Sequence, residues 1–214
     1  MSVLTIKNLH VKGKKTLKGK ELTDFSLEIN GGDVVVLVGE RAPLAIAALS
    51  GKAKVVGGEI YFGDHLFAKG KLADYGVEFI PCDEDHALGF HPKKPVIKGF
   101  VAPLKKRKMP QKMIDRSVRE AAQLLDFSHL IERKPRALSS QQKVRVTLGA
   151  AATRSPRMVV MENIFSITHP EYHEGISEAL KASLEALKLT MIFYTTADKA
   201  ELAEAAGAKI VEVN

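Results

Sequence analysis

The sequence predicts an α/β fold with a mainly parallel sheet, because short apolar runs alternate with segments of helical periodicity. Each run holds four or five residues that are apolar on both faces, which is typical of buried parallel strands. The runs are Val34–Val38, Val77–Ile80, Met158–Met161, 191–194 and 210–213.

The first sixty residues show a different pattern, that of a small antiparallel sheet. Residues 4–7, 25–29 and 59–62 have the composition of strands, and turns rich in glycine and lysine separate them. We therefore predict an N-terminal antiparallel β layer beside the parallel sheet.

Helical periodicity is clearest in the middle and near the C-terminus. Two sets of apolar residues recur at spacings of three or four, which puts each set on one helix face. The sets are Val118, Ala122 and Leu125, and Ile176, Leu180, Leu184 and Leu187. A proline-rich tract at residues 92–110 opens the middle block. We predict one domain spanning residues 1–214, with a helical insertion at about residues 84–152.

Composition indicates a globular protein with one substantial core. The 214 residues are 45% hydrophobic and 27% charged, and no apolar run approaches the ~20 residues that a membrane span needs. The N-terminus lacks the pattern of a signal peptide. The single cysteine, Cys82, excludes an internal disulfide framework and a multi-cysteine metal site. We expect a cytoplasmic location, or one at the inner face of a membrane.

The net charge of +7 is concentrated in two lysine-rich stretches. One lies at residues 12–20. The other lies at residues 93–112, and no acidic residue occurs between Asp85 and Asp115. Such stretches attract anionic lipid, nucleic acid or an acidic partner, or they remain solvated loops, and the sequence leaves both interpretations open.

Three segments resemble, in order, motifs of an ATP-binding cassette (ABC) ATPase. Residues 34–40 resemble its Walker A strand, residues 138–142 its signature loop and residues 157–163 its Walker B strand. The resemblance covers about residues 2–213 and is closest to the nucleotide-binding domains of sugar and nucleoside importers. It implies a P-loop ABC-type core, a head-to-tail dimer and a membrane permease as partner.

The phosphate-binding loop of the family is shortened in this chain. In the family, glycine N–H groups and a lysine hold the phosphates. Residues 40–47 contain neither glycine nor lysine. Gly39 precedes the segment, and Arg41 is its one cation. Because Pro43 suits the first turn of a helix, we predict a tight strand-to-helix turn at this place.

The other motifs also depart from the family pattern. Ser139 is kept, but Ser140 and Gln141 replace both signature glycines, so we expect a serine to cap a helix there. Glu162 occupies the Walker B aspartate position. Asn163 occupies the position of the catalytic glutamate and cannot accept a proton. Residues 76–85 resemble the segment that reaches the Q-loop, with Cys82 where glutamine or glutamate is expected. Threonine or alanine, at residues 196–197, replaces the switch histidine.

These replacements predict a non-catalytic pseudo-ATPase that acts as a structural or regulatory subunit of a protein complex. Its partners would be other subunits, an ABC-type ATPase or a permease, or else a nucleic acid or an anionic membrane surface reached through the basic stretches. We expect no cofactor beyond weak binding of ATP and Mg²⁺, with only vestigial nucleotide contacts at Gly39, Arg41, Ser139 and Glu162. The alternatives are a regulatory domain that binds nucleotide without hydrolysis, a nucleic-acid-binding relative and, last, an active ATPase that uses the substituted residues.

Partner contacts are predicted on the helical insertion. Its apolar residues show no clean helical period, so either some are exposed as a docking patch or all cover the insertion's own core. The candidate contacts are Phe100, Val101, Lys105, Lys106, Arg107 and Lys108.

Overall fold

The computed structural model describes residues 1–67, 71–82, 89–167 and 169–214. They form two compact units. The first holds residues 1–79, 157–164 and 189–214, and the second holds residues 80–156 and 165–188. Among the described residues, no helix has the length and apolar character that crossing a membrane requires.

In the described part of the chain, strands and α-helices alternate singly only from Met158 onward, after three consecutive helices in the middle of the chain. The strands are β1 (Ser2–Lys12), β2 (Glu21–Asn30), β3 (Val34–Val38), β4 (Lys54–Phe62), β5 (His65–Leu66), β6 (Val77–Ile80), β7 (Met158–Met161), β8 (Met191–Thr195) and β9 (Lys209–Glu212). The α-helices are α1 (Ala42–Leu49), α2 (Val96–Lys106), α3 (Gln111–Leu124), α4 (Ser140–Ala152), α5 (His173–Leu187) and α6 (Ala200–Ala205).

The N-terminal strands form an antiparallel sheet in the order β2-β1-β4-β5. Leu4 of β1 lies opposite Ile29 of β2 and opposite Phe62 of β4. All three side chains are buried, because alternate residues of these strands face the same core. The predicted antiparallel layer is confirmed.

The second sheet has the strand order β6-β7-β8-β3-β9. Its central strand β3 pairs in parallel with β8 and with β9, and β7 pairs in parallel with β8. Val36 and Leu37 of β3 are fully buried, as expected for a strand covered on both faces. The predicted mainly parallel sheet is confirmed.

The second unit is helical and has a core of its own. Phe100 of α2 lies at its centre, with ring centroids 6.0 Å from Phe90 and 5.5 Å from Phe127. Val96, Phe100 and Leu104 recur every four residues and are fully buried, so they form one helix face. The prediction that Phe100 is an exposed docking residue is therefore wrong.

The other candidate contacts on α2 differ from one another. Val101 is half-buried and packs against the same core as Phe100. Lys105, Lys106, Arg107 and Lys108 are exposed, but the Arg107 guanidinium donates a hydrogen bond of 2.8 Å to the carbonyl oxygen of Arg154. Arg107 therefore holds the end of α2 in place, and a contact with a partner stays a prediction. The predicted bounds of the insertion also stay a prediction, since residues 84–88 lie outside the described residues.

Candidate functional site

Gly39 ends β3 at a place where only glycine fits. Its φ is 121°, which L side chains rarely adopt, and a Cβ there would collide with the carbonyl oxygen of Val213. The N–H of Val213 in turn donates to the carbonyl oxygen of Val38 at 2.7 Å. The chain after β9 therefore runs directly against the end of β3.

The predicted strand-to-helix turn follows at once. Ala42 donates its N–H to the Gly39 carbonyl at 3.2 Å, and Pro43 lies in the first turn of α1. Every residue of α1 except Pro43 is buried, whereas Glu40 and Arg41 are exposed. Arg41 therefore does not pack into the core, and its contact with a nucleotide stays a prediction.

Glu162 lies at the same edge of the sheet, just after β7. One strand, β8, lies between β7 and β3, so the ends of β7 and β3 are two inter-strand spacings, or about 10 Å, apart. The Lys52 ammonium lies 2.5 Å from Oε1 of Glu162 and 4.7 Å from the centre of the Phe79 ring. Lys52 thereby holds a half-buried carboxylate in place.

Asn163 and Thr195 form a buried polar pair beside Glu162. Thr195 Oγ1 donates to Asn163 Oδ1 at 3.3 Å, and the two residues are 7% and 1% exposed. They follow or end the neighbouring strands β7 and β8, whose carboxyl ends meet at one edge. The structure thus places a neutral amide, oriented by a hydroxyl, next to the acidic residue. The two candidates for the switch position, Thr196 and Ala197, are both exposed.

Ser139 caps α4 in the second unit. Its Oγ accepts a hydrogen bond of 3.3 Å from the N–H of Gln142, while Gln142 Oε1 accepts one of 3.0 Å from the N–H of Ser139. This reciprocal capping box satisfies two of the N–H groups that a helix start leaves unpaired. The predicted serine cap is confirmed, whereas a nucleotide contact by Ser139 stays a prediction.

Cys82 is buried in the second unit. It belongs to the predicted Q-loop frame at residues 76–85, of which residues 83–85 lie outside the described residues.

A cavity of about 600 Å³ lies in the first unit. We call it the lysine pocket, because three lysines and one glutamate line it together with apolar residues. The lining residues are Lys14, Lys15, Leu17, Pro43, Ile46, Ala47, Gly51, Lys52, Glu162 and Tyr194. Its volume lies within the range of about 300–1,000 Å³ that is usual for small-molecule sites.

The sequence interpretation missed Lys52, Lys14, Lys15 and Thr195 as site residues. Lys52 follows the end of a helix, and Lys14 and Lys15 belong to a lysine-rich turn. Lysines in such places are ordinarily solvated, and no local signal distinguishes these three. Thr195 ends an apolar strand, and only its partner on the neighbouring strand gives it a role.

Comparison with known proteins decides the family. The chain is 33% identical over 186 residues to the trehalose/maltose import ATP-binding protein MalK of Thermococcus litoralis, which covers 83% of this chain and 49% of that protein. It is also 30% identical to the uncharacterized ABC transporter ATP-binding protein y4oS of Sinorhizobium fredii. That match covers 100% of this chain and 56% of y4oS. The chain is a homologue of ABC-transporter ATP-binding proteins. It spans about half the length of the curated relatives it matches.

Further comparisons agree on the fold. The sn-glycerol-3-phosphate import ATP-binding protein UgpC of Ralstonia nicotianae is 28% identical over 94% of this chain and 54% of its own length. A nucleotide-free ATP-binding cassette from an ABC transporter has a TM-score of 0.73 at 20% identity, covering 100% of this chain and 88% of that one. No protein-family model matches the chain. The predicted ABC-type fold is confirmed.

The prediction of a non-catalytic pseudo-ATPase is wrong, and so is the prediction that the chain has no cofactor. The proteins that match 83–100% of its length are named as ATP-binding proteins, most of them of importers. The prediction treated each replaced motif residue as lost chemistry, although the sequence relationship extends over the rest of the domain. The alternatives of a purely regulatory domain and of a nucleic-acid-binding relative fit these relatives no better, and nothing in the names points to nucleic acid or an anionic surface.

Proposed function

We propose that this chain is the ATP-binding domain of an ABC importer, which binds Mg-ATP and acts with a membrane permease. The observation that carries the proposal is its 33% identity, over 83% of its length, to a protein named as a trehalose/maltose import ATP-binding protein. Other relatives are named for sn-glycerol-3-phosphate import. We therefore propose small hydroxylated solutes, sugars or polyol phosphates, as the class of cargo.

The site geometry supports nucleotide binding at the carboxyl edge of the parallel sheet. In open α/β sheets, ligands bind outside the carboxyl ends of the strands. Glu162 follows β7 there, Gly39 follows β3, and the lysine pocket opens beside them with Glu162 in its lining. Arg41, which is exposed beside the end of β3, would supply positive charge for the phosphates.

Magnesium fits this donor set as an ion that arrives with the nucleotide. Mg²⁺ typically takes one or two protein carboxylates and completes its shell with phosphate oxygens and water. Glu162 supplies one carboxylate, and among the described residues no group of three or more acidic, histidine or cysteine side chains could hold a metal by itself. When bound, Mg²⁺ neutralises charge that develops on the phosphates during transfer.

Asn163 would orient the attacking water rather than deprotonate it. A carboxamide is not a base at neutral pH, but in some nucleotide hydrolases a glutamine amide orients the water for attack. The Thr195 hydroxyl donates to Asn163 Oδ1 at 3.3 Å and so holds the amide in a fixed orientation. Hydrolysis in this chain would therefore depend on positioning more than on proton abstraction.

The test is binding and turnover of Mg-ATP by the purified chain. ATP at 100 times its Kd should raise the free energy of unfolding by about 2.7 kcal/mol, a shift that a thermal melt resolves. Glu162→Gln should weaken the Mg²⁺-dependent part of the shift and leave the melt without nucleotide close to that of the wild type. If millimolar Mg-ATP gives neither a saturable shift nor turnover above background, the proposed function is wrong.

A second test addresses the permease. The gene should lie next to reading frames for membrane permeases, and expression with them should place the chain in the membrane fraction. Uptake of a labelled sugar or polyol phosphate by such cells should fall when the chain carries Glu162→Gln. Uptake that is unchanged when the gene is deleted would exclude an importer role.

A further inference from the structure

The lysine pocket differs from the segment that corresponds to the phosphate loop of the family. Lys14 and Lys15 come from the turn between β1 and β2, and Lys52 comes from the loop after α1. Of the described residues around the end of β3, neither Gly39 nor Arg41 lines the pocket. The pocket therefore concentrates positive charge at positions that the family motifs do not mark.

The turn that carries Lys14 and Lys15 is fixed by backbone hydrogen bonds. Leu17 donates to the Lys14 carbonyl at 3.0 Å, and Gly13 donates to the Lys20 carbonyl at 2.9 Å. Lys15 has a φ of 51°, a left-handed conformation that a lysine keeps only where its surroundings impose it. The two lysines are consequently held at the rim of the pocket by the fold of the turn.

The loop that carries Lys52 is fixed in a similar way. Ala53 donates its N–H to the Ala47 carbonyl at 3.0 Å, and Gly51 donates to the Ala48 carbonyl at 3.1 Å. The Lys52 ammonium contacts Glu162 at 2.5 Å. Because an ammonium has three donors, Lys52 can bind Glu162 and an anion in the pocket at the same time.

The remaining walls have a different chemistry. Leu17, Pro43 and Ile46 give the pocket an apolar side, and the Tyr194 ring adds an aromatic surface. A ligand that matches this lining has an anionic end for the lysines and a flat ring system whose face packs against the other walls. A nucleotide has both features, whereas inorganic phosphate or a free carboxylate has only the first.

We propose that the lysine pocket binds the phosphate groups of a nucleotide, with Lys14, Lys15 and Lys52 as the contacts. This inference rests on the proposed function, because it takes ATP as the ligand. The three ammonium groups act as point charges on the phosphates. They supply the positive charge that the shortened loop at residues 40–47 lacks.

Titration calorimetry on the whole chain tests the proposal, with Mg-ATP and inorganic triphosphate as ligands. The pocket variants are Lys14→Gln with Lys15→Gln, and Lys52→Gln alone. Each should weaken the binding of both ligands by tenfold or more. The matched controls are Lys18→Gln with Lys20→Gln in the same turn, and Lys54→Gln near Lys52, which change the net charge equally at residues outside the pocket lining. The controls should bind within about twofold of the wild type.

The outcomes separate the two proposals. If the wild type binds Mg-ATP and the pocket variants bind it as tightly as the controls do, the lysine pocket is not the phosphate site and the proposed function stands. If triphosphate binds through the pocket but Mg-ATP does not, the pocket is an anion site and the proposed function is wrong. If neither ligand binds the wild type, both proposals are wrong. Circular dichroism and melting of every variant show that a loss of binding is not a loss of folding.

Discussion

Lys52 and Glu162 form an ion pair with a distance of 2.5 Å although 110 residues separate them in the sequence. The pair joins the loop after α1 to the end of β7, beside the lysine pocket. Its side chains keep 52% and 22% of their accessible surface, so water screens their attraction. Its value for folding is consequently small, and we expect its main role in ligand binding.

Removing either partner of this pair should barely change stability. Lys52→Met and Glu162→Gln should each lower the free energy of unfolding by about 0–1 kcal/mol, the range of exposed ion pairs. Urea unfolding measures both, and a double-mutant cycle isolates the coupling. A loss of several kcal/mol for either change would mean that the pair is a structural element of the sheet edge.

The buried pair of Asn163 and Thr195 should matter more for folding. Thr195→Val keeps the shape of the side chain but removes the donor to Asn163 Oδ1, and we expect a loss of about 0.5–1.5 kcal/mol. Thr23→Val, at an exposed residue of β2, is the control and should be close to neutral. Equal effects of the two changes in urea unfolding would contradict a specific role of the hydrogen bond.

Asn163 gives a prediction about turnover. Asn163→Ala should reduce the rate of ATP hydrolysis without weakening Mg-ATP binding, because the amide orients water but does not hold the nucleotide. Asn163→Glu should raise the rate by introducing a general base, a contribution of about 10²–10⁴-fold in favourable cases. Steady-state kinetics with calorimetric binding separates these effects. A rate that responds to neither change would show that residue 163 does not face the attacking water.

Gly149 allows α4 to pack against Phe127. A Cβ at this position would lie 2.6 Å from the Phe127 ring. Gly149→Ala gains about 1 kcal/mol of helix propensity, but overpacking a core costs about 1–3 kcal/mol, so we expect a net loss of stability. Combining it with Phe127→Leu should recover part of the loss. Gly31→Ala, where a Cβ meets nothing closer than 3.9 Å, is the control. A Gly149→Ala variant more stable than the wild type would contradict the close packing.

The stability of the chain should fall at acid pH partly through Asp33. A hydrogen bond from the Lys209 ammonium, at 2.7 Å, and one from the N–H of Asn30 hold the pKa of this carboxyl below its ordinary value. A carboxyl whose folded-state pKa is lowered stabilises the fold above the unfolded-state pKa of about 3.9, and this contribution is lost as the pH falls through the folded-state value.

Urea unfolding between about pH 6 and pH 2.5 checks this expectation. Asp33→Asn should lower the stability near pH 6 and flatten its decline below about pH 4. Asp64→Asn makes the same change of charge at another exposed residue and serves as the control. Identical pH dependences of the Asp33 variant and the wild type would exclude this contribution.

Local chemistry was sufficient to predict the elements of the fold. Val34–Val38 is apolar on both faces, so it could only be a buried strand, and the structure gives β3 the same bounds. Ser139 and Gln142 have the spacing of a capping box, and they form one. Pro43 predicted the start of α1. The capping box and the start of α1 depend on residues close together in the chain, whereas the pairing of β3 with β8 and β9 joins residues distant in the sequence.

Only the tertiary structure decided which of these residues share a site. Lys52 and Glu162, and Asn163 with Thr195, come together because strands distant in sequence are neighbours in the sheet. Phe100 resembled a docking residue, since half-buried residues such as Val101 obscured the four-residue spacing of the buried face. Burial depends on how the elements pack together. The sequence of α2 by itself therefore does not show that Phe90 and Phe127 lie against Phe100. The tertiary structure also brought Lys14 and Lys15, from the basic stretch at residues 12–20, to the same cavity as Lys52.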